Sequence, residues 1–212
     1  MTGRRDVLLV DKDGTLIEDL PYNVDPTRVR FARGARQAVR RLGEAGWELA
    51  IVTNQSGVAR GYFEMADVER LADHLRDEVA ALGSRLAGFY VCPHLAEGDV
   101  APYARACACR KPLPGLLERA AAELALDLRG SWFVGDTWMD VAAGHAAGCR
   151  TALVGPEWRD RSTHPPGIEP DLAVPDLLAV VDHVLAAAAP AGGPRRRRER
   201  PVAAAVGSGD AA

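Results

Sequence analysis

Two aspartates one residue apart, in the segment Asp11-Lys12-Asp13-Gly14-Thr15, are the first side chains here placed to do chemistry. They follow Val7-Leu8-Leu9-Val10, a short apolar run that reads as a buried strand. If the extended backbone persists, residues two apart point the same way. Two carboxylates aimed at one spot repel each other unless a cation or a shared proton relieves them. Magnesium does this well, as a hard cation bound by carboxylates and substrate phosphate. Gly14 permits a sharp turn away from the site. Such a pair also occurs as ordinary turn acids at a strand end, so its meaning depends on what accompanies it.

Three more segments accompany it. Thr53-Asn54-Gln55-Ser56 offers a hydroxyl and amides able to hydrogen-bond phosphoryl oxygens. Arg110-Lys111-Pro112 supplies adjacent cations, and Gly135-Asp136 with Asp140 can complete a metal site or orient Lys111. A second constellation is sulfur-rich: Cys92-Pro93-His94, twelve intervening residues, then Cys107-Ala108-Cys109. Three thiolates and an imidazole satisfy tetrahedral zinc, although the single-residue spacers are tighter than those of common zinc fingers. All four positions are filled by protein, so the zinc is expected to be structural, stapling a loop that contains Gly98 and two prolines. Because Cys109 adjoins Arg110, closing that loop would fix the two cations. The remaining Cys149 reads as a buried free thiol.

The elements that must position these residues alternate along the chain. Strands are expected at 5–10, 47–52, 87–91, 131–134 and 151–154, each a short apolar run suited to a sheet buried on both faces. Helices are expected at 34–45, 64–82, 114–126 and 138–147, with a last one around Leu177, Leu178, Val181 and Leu185. This alternation predicts an α/β fold, a doubly wound parallel sheet of Rossmann-like type, whose ligands bind beyond the carboxyl ends of the strands. The polar segments above sit at those ends. Residues 1–187 read as one domain and 188–212, rich in Ala, Gly and Arg, as a disordered tail.

Composition narrows the partners. The 212 residues carry a net charge of −3, but the run 195–200 alone carries +4, leaving −7 on the remainder. An acidic body repels anions in general, so a bound phosphate needs local cations and a metal. A nucleic-acid-binding module built on the zinc loop and the arginine run is the alternative of a different class. It lacks a basic helix face with base-reading residues. No run approaches the roughly 20 apolar residues of a membrane span, and the N-terminus has no signal-peptide core. The expectation is a cytoplasmic, monomeric protein with neither membrane nor nucleic acid as partner.

On the four segments spanning residues 11–140, in this order and on these strand ends, the sequence resembles the haloacid dehalogenase superfamily of phosphatases. That resemblance implies a Mg²⁺-dependent phosphatase in which Asp11 attacks phosphorus and Asp13 is the acid and base. It implies that Thr53 and Lys111 bind the transferring group, and that Mg²⁺ is held by Asp11, the Asp13 carbonyl and Asp136. The zinc set (Cys92, His94, Cys107, Cys109), the segment 53–62 and Cys109-Arg110-Lys111-Pro112 are similar to the subfamily of heptose bisphosphate and histidinol-phosphate phosphatases. It implies a fold with no large cap domain and a small phosphorylated sugar or amino alcohol as substrate. The loop Asp19-Leu20-Pro21-Tyr22 would meet that substrate together with Asn54, Gln55, Ser56, Arg60 and Arg110. Thr137-Trp138 stands where many heptose enzymes carry a basic residue. Arg60 and Arg110 suit a polyanionic sugar better than cationic histidinol, so the heptose bisphosphate ranks first and histidinol phosphate second.

Overall fold

A strand made only of apolar side chains has no face to offer water, and Val7–Val10 (β1) is buried along its whole length. The computed structural model describes residues 6–156 and 164–188. In chain order the elements are β1, α1 (Ala35–Glu44), β2 (Glu48–Asn54), α2 (Met65–Ala81), β3 (Leu86–Cys92), α3 (Gly115–Leu124), β4 (Trp132–Gly135), α4 (Trp138–Ala147), β5 (Arg150–Val154), β6 (Leu172–Val174) and α5 (Leu177–Ala188). Single turns of 3₁₀ helix lie at Pro26–Arg28 and Leu128–Gly130.

Among the described residues the sheet is six-stranded, in the order β3-β2-β1-β4-β5-β6, and every pairing is parallel. Parallel pairing requires crossovers, and the helices supply them on both faces. Leu8, Val10, Leu49, Ile51 and Val134 point to one side and pack with α1, α2 and α5. Val7, Leu9, Ala50, Val52 and Phe133 point to the other, against α3 and α4. The chain winds from β1 outward through β2 and β3, then returns to lay β4 on the other side of β1. That reversal opens a crevice at the carboxyl ends of β1 and β4.

The register places functional residues there. Val10 pairs with Val134, and the next backbone N–H, that of Asp11, donates to the Val134 carbonyl at 2.7 Å. Asp11 is thereby held as a last rung of the sheet, level with the residues that lead to Asp136. β2 runs two residues beyond its expected end, so Thr53 and Asn54 are strand residues paired with Val91 and Cys92.

The expected parallel α/β architecture, its first five strands and all five helices are present. β6 had no counterpart in the sequence reading. It is a three-residue edge strand, only partly buried, and so lacks the continuous apolar run that marked the others. No separate cap domain interrupts the elements among the described residues. α5 extends to Ala188, and the tail expected beyond it lies outside the described residues.

Candidate active site and zinc cluster

Because β1 and β4 adjoin, their first loop residues converge. Carboxylate oxygens of Asp11, Asp136 and Asp140 lie within 4.8 Å of one another. Lys111 reaches into this group from the loop before α3. Its Nζ lies 2.6 Å from Asp11 Oδ1, 2.5 Å from Asp140 Oδ1 and 3.2 Å from the Val52 carbonyl. Burial would by itself lower the Lys111 pKa, but the two carboxylates more than reverse this and hold it raised. Asp140 reaches the cluster from the first turn of α4, where its Oδ2 accepts from the Thr137 N–H and hydroxyl at 3.1 and 2.6 Å. One carboxylate therefore caps a helix and orients the lysine.

The electrostatics of the group call for a divalent cation. Burial pushes Asp11 up to about 7 against the pull of Lys111, with Asp140 adding repulsion. Burial, then Asp11 and Asp140, push Asp136 up to about 8. Asp11, Asp13, Asp136 and Asp140 face two cations, Lys12 and Lys111, which leaves a formal −2. One Mg²⁺ balances that charge with the oxygen donors it prefers. Room for an ion is kept open by Gly14, whose φ is +75°. A Cβ there would lie 2.0 Å from Asp136 Oδ2. Gly135 is equally confined, with Asp140 Cβ 2.3 Å from where its own would stand.

Asp13 sits beside this group rather than in it. Its Oδ1 is 2.8 Å from Lys12 Nζ, and its Oδ2 accepts from Gln55 Nε2 at 3.0 Å. The same Gln55 amide lies 3.0 Å from Thr53 Oγ1. In front of these residues opens a cleft of about 280 Å³ lined by Asp13, Asp19, Pro21, Tyr22, Asn23, Asn54, Gln55, Ser56 and Gly57. Tyr22, with φ +56°, stacks edge-on to Tyr62 at 4.8 Å between centroids, so the loops after β1 and β2 touch at the rim.

The sulfur cluster forms as its spacing predicted. Cys92 ends β3 and receives His94, Cys107 and Cys109 from the following loop. Five of the six ligand-to-ligand separations are 3.2–3.7 Å, measured between Sγ atoms and His94 Nδ1. Thiolates about 3.7 Å apart are what a tetrahedron with ordinary zinc–sulfur bonds requires. The four donors fit zinc and leave no vertex for water. The loop is also pinned by backbone bonds, from Asp99 and Val100 N–H to the Ala59 carbonyl at 2.7 and 2.9 Å. Cys149 stands apart, buried, its thiol pushed up to about 12 by that burial.

Known proteins resemble this chain in sequence and fold. The chain is 39% identical over 154 residues to a D-glycero-beta-D-manno-heptose-1,7-bisphosphate 7-phosphatase of Yersinia pestis, covering 73% of this chain and 82% of that one. It is 35% identical over 182 residues to the enzyme of that name from Pseudomonas aeruginosa, covering 85% and 98%. The chain belongs to the haloacid dehalogenase-like phosphatases. A family model described as "HAD-hyrolase-like" matches residues 108–180. Among solved structures, the D,D-heptose 1,7-bisphosphate phosphatase of B. bronchiseptica, complexed with magnesium and phosphate, superposes with a TM-score of 0.74. It is 32% identical, covering 86% of this chain and 99% of that one.

Within this haloacid dehalogenase-like phosphatase, the catalytic and substrate residues expected from sequence fall into four groups. Asp11, Asp13, Thr53, Lys111 and Asp136 meet at the crevice, and Asp19, Pro21, Tyr22 and Ser56 line the cleft in front of it. Asn54 and Gln55 also border the cleft but spend their amides on protein: Asn54 bonds the Lys111 backbone at 3.1 and 3.2 Å. Leu20, Arg60 and Arg110 do not line the cleft. The Arg60 Nε is buried without a hydrogen-bond partner, and Arg110 donates to the His94 carbonyl at 3.4 Å. Asn23, the next residue of the loop expected to meet substrate, lines the cleft as well. Lys12, 1% exposed, was not among the residues expected from sequence.

Proposed function

We propose that this chain is a Mg²⁺-dependent phosphatase that removes the 7-phosphate of D-glycero-β-D-manno-heptose 1,7-bisphosphate through a phosphorylated Asp11. The observation that carries the reading is the convergence of Asp11, Lys111, Asp136 and Asp140 at the sheet's reversal point. The activity of the relatives from Yersinia pestis and Pseudomonas aeruginosa supplies the substrate. Arg60, in the loop after β2, and Arg110, adjacent to Lys111, are cations suited to a second phosphate.

Asp11 attacks phosphorus, a P–O bond forms to its carboxylate, and the bond to the C7 oxygen breaks. Asp13 gives its proton to that departing oxygen. Water then attacks the aspartyl-phosphate, Asp13 takes the water's proton, and inorganic phosphate leaves with Asp11 restored. Splitting one displacement into two in this way lowers each barrier. Lys111 and the Thr53 hydroxyl would share the charge that builds on the equatorial oxygens. Bound by Asp11, Asp136 and the Asp13 carbonyl, Mg²⁺ would neutralise phosphoryl charge and orient the phosphate. Zinc at Cys92, His94, Cys107 and Cys109 has a structural part.

The same reading makes this a cytoplasmic monomer. Two observations support the compartment: the zinc ligands are free thiols, which need reducing surroundings, and no described helix is long and apolar enough to cross a membrane. The test is phosphate release, with Mg²⁺, from both anomers of the heptose bisphosphate, from histidinol phosphate and from an aryl phosphate. The β-anomer is expected to show the highest kcat/KM. A higher value for histidinol phosphate would overturn the substrate while leaving the phosphatase chemistry standing.

A further inference from the structure

Lys12 is among the most deeply buried large side chains of the molecule, at 1% exposure, and the reaction scheme above gives it no role. A lysine ammonium is removed from water only at high cost, unless it is paired. Its partner is Asp13, 2.8 Å away and 28% exposed toward the cleft. The buried cation thus ends on the carboxylate that carries the acid–base role.

The opposite oxygen of Asp13 is held as well, by the Gln55 amide at 3.0 Å. Gln55 is itself buried and anchored on Thr53. The Asp13 carboxyl is thus gripped at both oxygens by groups that cannot swing into solvent. A carboxylate has about four lone-pair positions, so two such contacts leave capacity for a leaving oxygen or a water. Backbone on the same segment is equally fixed: the Lys12 carbonyl accepts from Leu16 and Ile17 N–H at 3.1 and 3.0 Å. The grip has a second effect. By standing next to Asp13, Lys12 offsets a charge that would otherwise add to the Asp11, Asp136 and Asp140 group.

We propose that Lys12, with Gln55 as its counterpart, is the positioning residue for Asp13, holding its carboxyl in the place and plane from which it serves the leaving oxygen. This rests on the acid–base reading of Asp13, and the test separates the two. Proton donation matters when the departing oxygen is a poor leaving group and hardly at all when it is a nitrophenolate. The signature of a displaced acid is therefore a split between substrates, which a generally damaged protein would not show.

The experiment is single-turnover alcohol release, enzyme in excess and rapidly quenched, from a primary sugar phosphate and from p-nitrophenyl phosphate. It compares wild type, Asp13→Asn, Lys12→Met, Lys12→Arg and Gln55→Leu. Lys12→Met is expected to lose about 10- to 100-fold on the sugar phosphate and less than about 3-fold on the aryl ester. Lys12→Arg should recover most of the loss, and Gln55→Leu should show a split in the same direction. Equal losses on both substrates, or none, in Lys12→Met overturns the proposal. If Lys12→Met does not fold, Gln55→Leu decides, and the absence of a split there overturns it. Should Asp13→Asn itself show no split, the acid–base reading fails and the proposal with it. A split in Asp13→Asn alone overturns only the role of Lys12.

Discussion

The carboxylate cluster stands on strand ends: Asp11 follows β1, Asp136 follows β4, and Asp140 is one turn into α4. The cysteine cluster takes one ligand from the end of β3 and three from the loop behind it. The first is charged beyond what its lysines neutralise, and it faces open space that Gly14 keeps clear. The second is closed, its donors at tetrahedral spacing with no vertex spare. A rigid scaffold can hold groups that repel one another, because the sheet and core supply the restraint. A loop has fewer restraints, here backbone bonds to Ala59, and an ion shared by its ligands would supply the rest. The two meet in sequence at Cys109-Arg110-Lys111, where the loop hands a cation to the sheet.

Breaking the carboxylate side gives the largest expected effect. Asp11→Asn should lower phosphate release by at least about 10⁴-fold with the circular dichroism spectrum unchanged, since the nucleophile is lost while Asp140 still pairs Lys111. Retained turnover would mean the nucleophile is elsewhere. Breaking the sulfur side should act at a distance. Cys107→Ala is expected to drop zinc from about one per chain to none by metal analysis. It should also cut kcat/KM by about 100-fold through loss of order at Arg110 and Lys111. Full activity without zinc would uncouple the two clusters.

Smaller changes sharpen the contrast. Gly14→Ala puts a methyl on Asp136 and strains a φ of +75°, so Mg²⁺ affinity should fall about 10- to 100-fold by titration calorimetry, with zinc content unaltered. The pH dependence has a defined sign. Asp11 at about 7 and Asp136 at about 8 lie above their ordinary 3.8, so between those limits the folded, metal-free protein binds more protons than the unfolded chain. Its thermal stability should decline as pH rises from 5 to 8. Mg²⁺ must displace those protons, so its affinity should rise by about 10-fold from pH 6 to 8, and its stabilising effect with it. Flat affinity across that range would place the ion away from Asp11 and Asp136.

The parts of the molecule legible in the sequence are those governed by neighbours in the chain. Val7–Val10 and Trp132–Gly135 announce themselves as continuous apolar runs, and the cysteine cluster announces itself by spacing. β6 does not, because three residues at an edge, two half-buried around an exposed Ala173, are too short to carry a period. The Asp13 grip was illegible for another reason. Gln55 follows the end of β2, 42 residues from Asp13, and the burial of Lys12 comes from the folded structure rather than from its neighbours in the chain. Asp140 was legible both as a residue to complete a metal site and as one to steady Lys111, while its approach to Asp11 is set by the β1–β4 adjacency.

Asn54 has one more consequence. Its amide gives a hydrogen to the Lys111 carbonyl and takes one from the Lys111 N–H, which is how one peptide group greets another in a sheet. A side chain thus counterfeits a strand and stitches a loop to the carboxyl end of β2 through the loop's main-chain atoms. The address of residue 111 is written without reference to its side chain. Evolution is then free to change what stands at that address while the stitch keeps where it stands, and Asn54→Asp, which has an acceptor but no donor, would tear it.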